Sequence, residues 1–173
     1  MRWVARLSVL VAALVLAALI WVRPAPPPLP GAITGTVERI LVEKAARRMT
    51  LWQGDRVLRE YRVALGFQPE GDKLRQGDGC TPEGQFRIDR LNPDSAYHLS
   101  PGLDYPQEDD LIRASAGGYD PGGDIFIHGQ PNAMPDGSML RGDWTAGCIA
   151  LSNAEIAEVF AATPIGTPVE IRP

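Results

Sequence analysis

Leu7–Val22 is a nearly unbroken apolar run of 16 residues, closed at its two ends by Arg2 and Arg6 and by Arg23. From Ala32 onward the pattern changes to short apolar segments separated by turn residues. Val37–Glu43, Met49–Trp52 and Val57–Ala64 are rich in Val, Ile, Leu and aromatics, and Arg47-Arg48 and Gln53-Gly54-Asp55 supply the turns between them. That alternation predicts an antiparallel meander. Phe86–Ile88 follows the turn signal Thr81-Pro82-Glu83-Gly84 and predicts a further strand, as do Asp124–His128, Ile149–Leu151 and Val169–Ile171. One helix is well marked. Ser152 and Glu155 form a capping box, Ile156, Val159 and Phe160 fall on one face, and Pro164 stops it. Asn92–Gly123 carries Pro93, Pro101, Pro106, Pro121 and several glycines, and reads as a long substrate-handling loop.

The apolar run has the length of a signal-peptide core or a short membrane span, with Trp3 and Trp21 at its ends as interfacial aromatics. No small-x-small cleavage site follows it, and Pro24, Pro26, Pro27 and Pro28 crowd the place for one, which favours an uncleaved anchor over a removed signal peptide. Arg2 and Arg6 would stay on the cytoplasmic side, so the body is expected to be exported to the cell envelope and anchored by residues 7–22. The expected organisation is an anchor or signal peptide at 1–23, a proline-rich linker at 24–33 and one domain at 34–173.

Composition narrows the classes. Gly (18) and Pro (16) make up about a fifth of the 173 residues, which argues against a helical bundle and for a mainly β domain. Taking away residues 1–23 removes three arginines and no acid, so the net charge of −4 becomes −7. An acidic body does not neutralise phosphates, and nucleic acid is excluded as a partner.

Chemistry is confined to few side chains: His98, His128, Cys80 and Cys148 are the only histidines and cysteines. His128 ends a strand and Cys148 follows Thr145-Ala146-Gly147, so a thiol nucleophile served by a histidine base is one reading. Gly147 would let substrate approach, and the amides of Gly147 and Cys148 would line an oxyanion hole. A Cys80–Cys148 disulfide is the ordinary alternative in an exported chain. A zinc site built from both cysteines and both histidines lacks the usual ligand spacing.

The order His128-Gly129, then a loop of 16 residues (129–144), then Thr145-Ala146-Gly147-Cys148 resembles the L,D-transpeptidase catalytic domain (YkuD-type), whose pattern ends in Ser/Thr-His-Gly-Cys. Thr81-Pro82-Glu83-Gly84, Tyr97-His98-Leu99-Ser100, Tyr105-Pro106, Pro121-Gly122-Gly123-Asp124 and Asp143-Trp144 agree with it, over about residues 34–173. Ala146 stands where the family has its second histidine, and Ala150 where it often has Asn or Arg, as in a small exported variant of the family. The resemblance implies a single β-sandwich domain with one or two short helices. It also implies a peptidoglycan stem peptide as substrate and no metal or organic cofactor. Cys148 would be the nucleophile and His128 the base, with Gly129 orienting the ring and Gly147 beside the thiol. Arg141, Trp144, Thr145 and His98 complete the expected site as substrate-binding residues. Transpeptidation is the leading expectation, with carbapenem acylation of the thiol. Hydrolysis by the same pair, or a non-catalytic wall-binding module held by a Cys80–Cys148 disulfide, are the alternatives.

Overall fold

A computed structural model of the chain describes residues 22–25, 31–135 and 137–173. Residues 1–21 of the expected anchor and 26–30 of the proline-rich linker lie outside the described residues, while Val22 and Arg23, expected to close the anchor, are instead part of a strand of the body, paired with Leu140 and Met139. Among those described, no helix is long and apolar enough to cross a membrane.

The meander forms as expected. β2 (Arg39–Glu43), β3 (Arg48–Gln53) and β4 (Arg56–Arg62) pair antiparallel, with Ile40 opposite Leu51 and Met49 opposite Tyr61. Alternation turns Ile40, Val42, Met49, Leu51 and Tyr61 into the core, all of them buried. The last strand, β10 (Pro168–Arg172), lies parallel to β2 and antiparallel to β5 (Gly84–Ser95), placing Val169 between Ile40 and Phe86. β6 (His98–Leu103) pairs with β5 and completes a six-stranded sheet in the order β4-β3-β2-β10-β5-β6.

This sheet curls until its edges meet. A two-stranded parallel ribbon, β7 (Ile127–His128) with β9 (Ile149–Ala150), is bridged to β6 through Gly102 and Phe126. On its other side the ribbon is bridged to the segment after β4 through Ala64 and Ala150. The architecture is therefore mainly β, but it is one curled sheet closed by a ribbon instead of the two packed sheets of a sandwich. A second ribbon pairs β1 (Val22–Pro24) with β8 (Ser138–Leu140).

Two helices are present among the described residues. α2 (Asn153–Ala162) begins at the capping box of Ser152 and Glu155, and buries Ile156 and Val159 in the core. Each of those burials stabilises the fold by about 1.5–3 kcal/mol. α1 (Glu108–Gly117) lies within the stretch expected to be a loop. It buries only Ala114 and leaves Leu111 and Ile112 exposed, so no amphipathic stripe announces it. That stretch also hides β6 and the far half of β5, where Pro93 falls at an irregularity in the pairing and Pro101 lies on the sheet's edge strand.

A loop over residues 68–83 backs the ribbon. Two buried lysines hold it, Lys44 on Glu83 (2.7 Å) and Lys73 on Asp78 (2.8 Å). Asp78 also accepts from the amides of Leu74, Arg75 and Cys80.

Candidate active site

Cys148 and His128 meet on the closing ribbon. Its register sets His128 opposite Ala150 and Ile127 opposite Ile149. Cys148, two positions before Ala150, therefore shares a face with His128 on the neighbouring strand. Cys148, His128, Phe126, Trp144, Tyr97 and Asp124 line one cleft of about 600 Å³.

The histidine is held in one tautomer. Its Nδ1 lies 2.7 Å from the Gly129 carbonyl oxygen, and a carbonyl only accepts, so Nδ1 carries the proton and Nε2 keeps its lone pair. Gly129 is a glycine for a separate reason. A Cβ there would stand 2.6 Å from Asn153 Oδ1 and 3.1 Å from Ile156 Cγ2, pushing α2 away.

The thiol is held by backbone. Cys148 Sγ lies 3.4 Å from the Phe126 amide, which donates to it, and 3.4 Å from the Asp124 carbonyl, to which the thiol donates. Burial pushes the Cys148 thiol above its ordinary value, and the Phe126 amide only partly opposes this. Burial pulls His128 below the ordinary imidazole value, against the Gly129 hydrogen bond. At neutral pH the pair is thus a neutral thiol beside a neutral imidazole, the arrangement of a general base and not of a preformed ion pair.

The turn before the cysteine is built around Thr145 and Gly147. The buried Thr145 hydroxyl donates to the Cys148 carbonyl (2.7 Å) and accepts from the Gly147 amide (3.1 Å). Thr145, expected to bind substrate, lines the cleft but spends its hydroxyl inside the turn. Gly147 has φ +138°, and a Cβ would stand 2.7 Å from the Cys80 carbonyl oxygen. Of the two amides expected to form an oxyanion hole, Gly147's is taken by Thr145. The Cys148 amide has no acceptor among the described residues and is left free.

The other expected residues divide. Trp144 stands edge-on to His128, ring centroids 5.6 Å apart, with its indole Nε1 shielded and unpartnered. Tyr97 also packs on the imidazole, next to Trp144, and was not singled out by its own chemistry in the sequence. Its position in the turn between β5 and β6 is set by the fold, and only the quoted Tyr-His-Leu-Ser flank hinted at it. His98 adopts φ 67° in that turn, its amide donates to Asn132 Oδ1, and it is absent from the cleft lining. Arg141 lines a neighbouring cavity instead. Ala146, on the rim, is exposed. Cys80 and Cys148 are both free thiols, so the disulfide alternative is not realised. Cys80 Sγ sits 3.9 Å from the Glu70 and Asp78 carbonyls.

The sequence model of the L,D-transpeptidase catalytic domain (YkuD) matches residues 37–171. YafK of Escherichia coli strain K12, which carries an L,D-transpeptidase name, is 29% identical over 106 residues, 60% of this chain and 36% of its own. The crystal structure of the helical cell shape determining protein Pgp2 from Campylobacter jejuni superposes with a TM-score of 0.61 at 27% identity, over 80% of this chain and 48% of that one. An L,D-transpeptidase from Xylanimonas cellulosilytica (TM-score 0.53, 17% identity, 85% of this chain and 64% of that one) shares the fold. The chain thus spans about a third of YafK and about half of Pgp2.

Proposed function

The chain belongs to the L,D-transpeptidase catalytic domain family, and on that premise we propose that it is a cysteine-dependent L,D-transpeptidase of the cell envelope that cross-links peptidoglycan. The observation that carries the reading is the placement of Cys148 and His128 on one face of the β7–β9 ribbon, with Nε2 left free by the Gly129 carbonyl.

Cys148 Sγ attacks the carbonyl carbon of the third residue of a tetrapeptide stem as its proton passes to His128 Nε2. The Cys148 amide receives the oxyanion. Collapse breaks the peptide bond, and His128 returns the proton to the departing D-alanine amine, leaving a thioester. The amine of a second stem attacks that thioester, loses its proton to Nε2 and forms the cross-link, with the thiol regenerated. The Cys148 thiol is also the expected site of acylation by carbapenem-type β-lactams. Residues 7–22 would keep the enzyme at the membrane, facing the wall.

The test incubates the full chain, solubilised in detergent and reduced, with disaccharide-tetrapeptide and resolves the products by mass spectrometry beside Cys148→Ala. D-alanine release with dimer formation, absent from the variant, is the expected result. D-alanine release without dimer would replace transpeptidation by hydrolysis through the same pair. No Cys148-dependent product would overturn the reading.

A further inference from the structure

The face that carries Cys148 and His128 does not end at the ribbon. Ala150 is bridged to Ala64, so the Ala64 side chain shares that face, about two strand spacings or ~10 Å from His128. Beyond Ala64 opens a second cavity of about 570 Å³, lined by Arg23, Arg47, Arg62, Arg141 and Asp143 among others. Arg47 is committed. Its Nε and Nη2 donate to Asp143 Oδ2 (3.1 and 2.9 Å), while Asp143 Oδ1 accepts from the Leu65 amide. The one carboxylate of the cavity is therefore neutralised by one of its four guanidiniums.

Arg23, Arg62 and Arg141 have no ion pair or side-chain hydrogen bond among the described residues, and Arg23 Nε is shielded from solvent without an acceptor. Three guanidiniums gathered around one hollow repel one another, an arrangement that a bound oxyanion relieves. They converge on a body whose net charge is −7, so overall basicity does not put them there. The elements that hold them also point to the cleft. β1 carries Arg23 onto β8, and the segment running from β8 through Arg141 to Asp143 leads directly into Trp144, the wall of the cleft.

We infer that this arginine cavity is a substrate subsite for a carboxylate-bearing segment of the wall peptide, with Arg62 and Arg141 as its accessible ligands and Arg23 as its inner one. The inference rests on the proposed action on peptidoglycan stems and adds how a stem is recognised. About three residues of extended chain span the ~10 Å between the pair and Ala64, which is the length of stem that separates the reacting carbonyl from the arginines. Guanidinium forks match planar carboxylates two bonds at a time, which suits recognition of a peptide acid better than a point charge would.

The test measures steady-state kinetics of the full chain in detergent on two donor stems, one with its free carboxylates and one amidated at those outside the scissile bond. Arg62→Gln, Arg141→Gln and the double variant are compared with wild type, and urea unfolding checks that each folds. Both side chains are exposed, so their loss is not expected to unfold the chain. Each single variant is expected to raise KM for the free-acid stem about tenfold with kcat changed less than about twofold, the loss of one charge-assisted contact. On the amidated stem wild type and variants should coincide. Equal KM values for wild type and double variant on the free-acid stem would overturn the inference while leaving the transpeptidase reading intact. Failure of wild type on both stems would overturn that reading and this one together. Unchanged KM with weakened binding to phosphatidylglycerol vesicles would assign the arginines to lipid phosphates and also overturn it.

Discussion

Tyr97 lies tilted against the His128 ring, centroids 4.6 Å apart and planes inclined by 39°. Trp144 stands edge-on to the same imidazole, and its ring centroid is 6.1 Å from that of Tyr97, so the two aromatic rings wall adjacent sides of the histidine and touch each other. The contact uses the phenol's ring and not its hydroxyl, which has no hydrogen-bond partner among the described residues. Tyr97→Phe should therefore keep wild-type kcat/KM. Tyr97→Ala should lower it about three- to tenfold, the worth of an aromatic pair of about 0.5–1.5 kcal/mol. Steady-state rates on one stem substrate check both, and equal losses in the two variants would show that the hydroxyl carries the role.

A neutral thiol beside a neutral imidazole has a definite pH signature. Alkylation of Cys148 by iodoacetamide should rise with pH through one inflection above the ordinary thiol range, because burial raises the thiol's pKa. A rate that is already high and flat at pH 6 would mean a thiolate–imidazolium pair instead. For turnover, the base must be unprotonated. Burial lowers the His128 pKa, so the acid limb of kcat/KM should fall off below the ordinary imidazole value.

Thr145 separates a structural role from a binding one. Thr145→Val removes the acceptor of the Gly147 amide and the donor to the Cys148 carbonyl. Urea unfolding should show about 2 kcal/mol of lost stability from the buried groups left unpaired, and kcat should fall with little change in KM. Thr145→Ser should restore both. A variant that altered only KM would return Thr145 to the substrate-contacting set.

Gly147→Ala meets two penalties at once, a φ of +138° and a Cβ 2.7 Å from the Cys80 carbonyl oxygen. The turn should lose about 2 kcal/mol or more and carry Cys148 away from His128. Thermal unfolding and the alkylation rate at pH 8 measure the two effects. Wild-type values in both would remove the packing of the 68–83 loop from the account of the site.

Much of this was legible in the chain because local signals agreed with the fold. The alternation at Ile40, Val42, Met49 and Leu51, and the Ser152–Glu155 box, each specify an element without help from distant residues. The Cys148–His128 pair was legible because order and spacing survive in one dimension. What escaped depends on tertiary contact. α1 buries one alanine and has no periodicity to read, and the parallel pairing of β10 with β2 joins the two ends of the domain. Arg141 was expected at the cysteine, yet the chain turns between Asp143 and Trp144 and leaves it with Arg23 and Arg62, which are distant in sequence. His98 was expected at the site, but the backbone at the start of β6 gives it a positive φ and it is Tyr97, before it, that packs on the imidazole.

The closed ring of strands has a bearing on when this chain can react. Cys148 lies where the far ends of one sheet are joined, through Ala64 on one side and Gly102 on the other. A partly folded chain that has formed only the β2–β4 meander, or only the carboxy-terminal helix and strand, holds no paired thiol. The pairing therefore arrives with closure of the circle and is lost when the circle opens. Whatever chemistry the pair carries is therefore all-or-none with folding: until the circle closes, the thiol of Cys148 and the imidazole of His128 belong to separate pieces of chain.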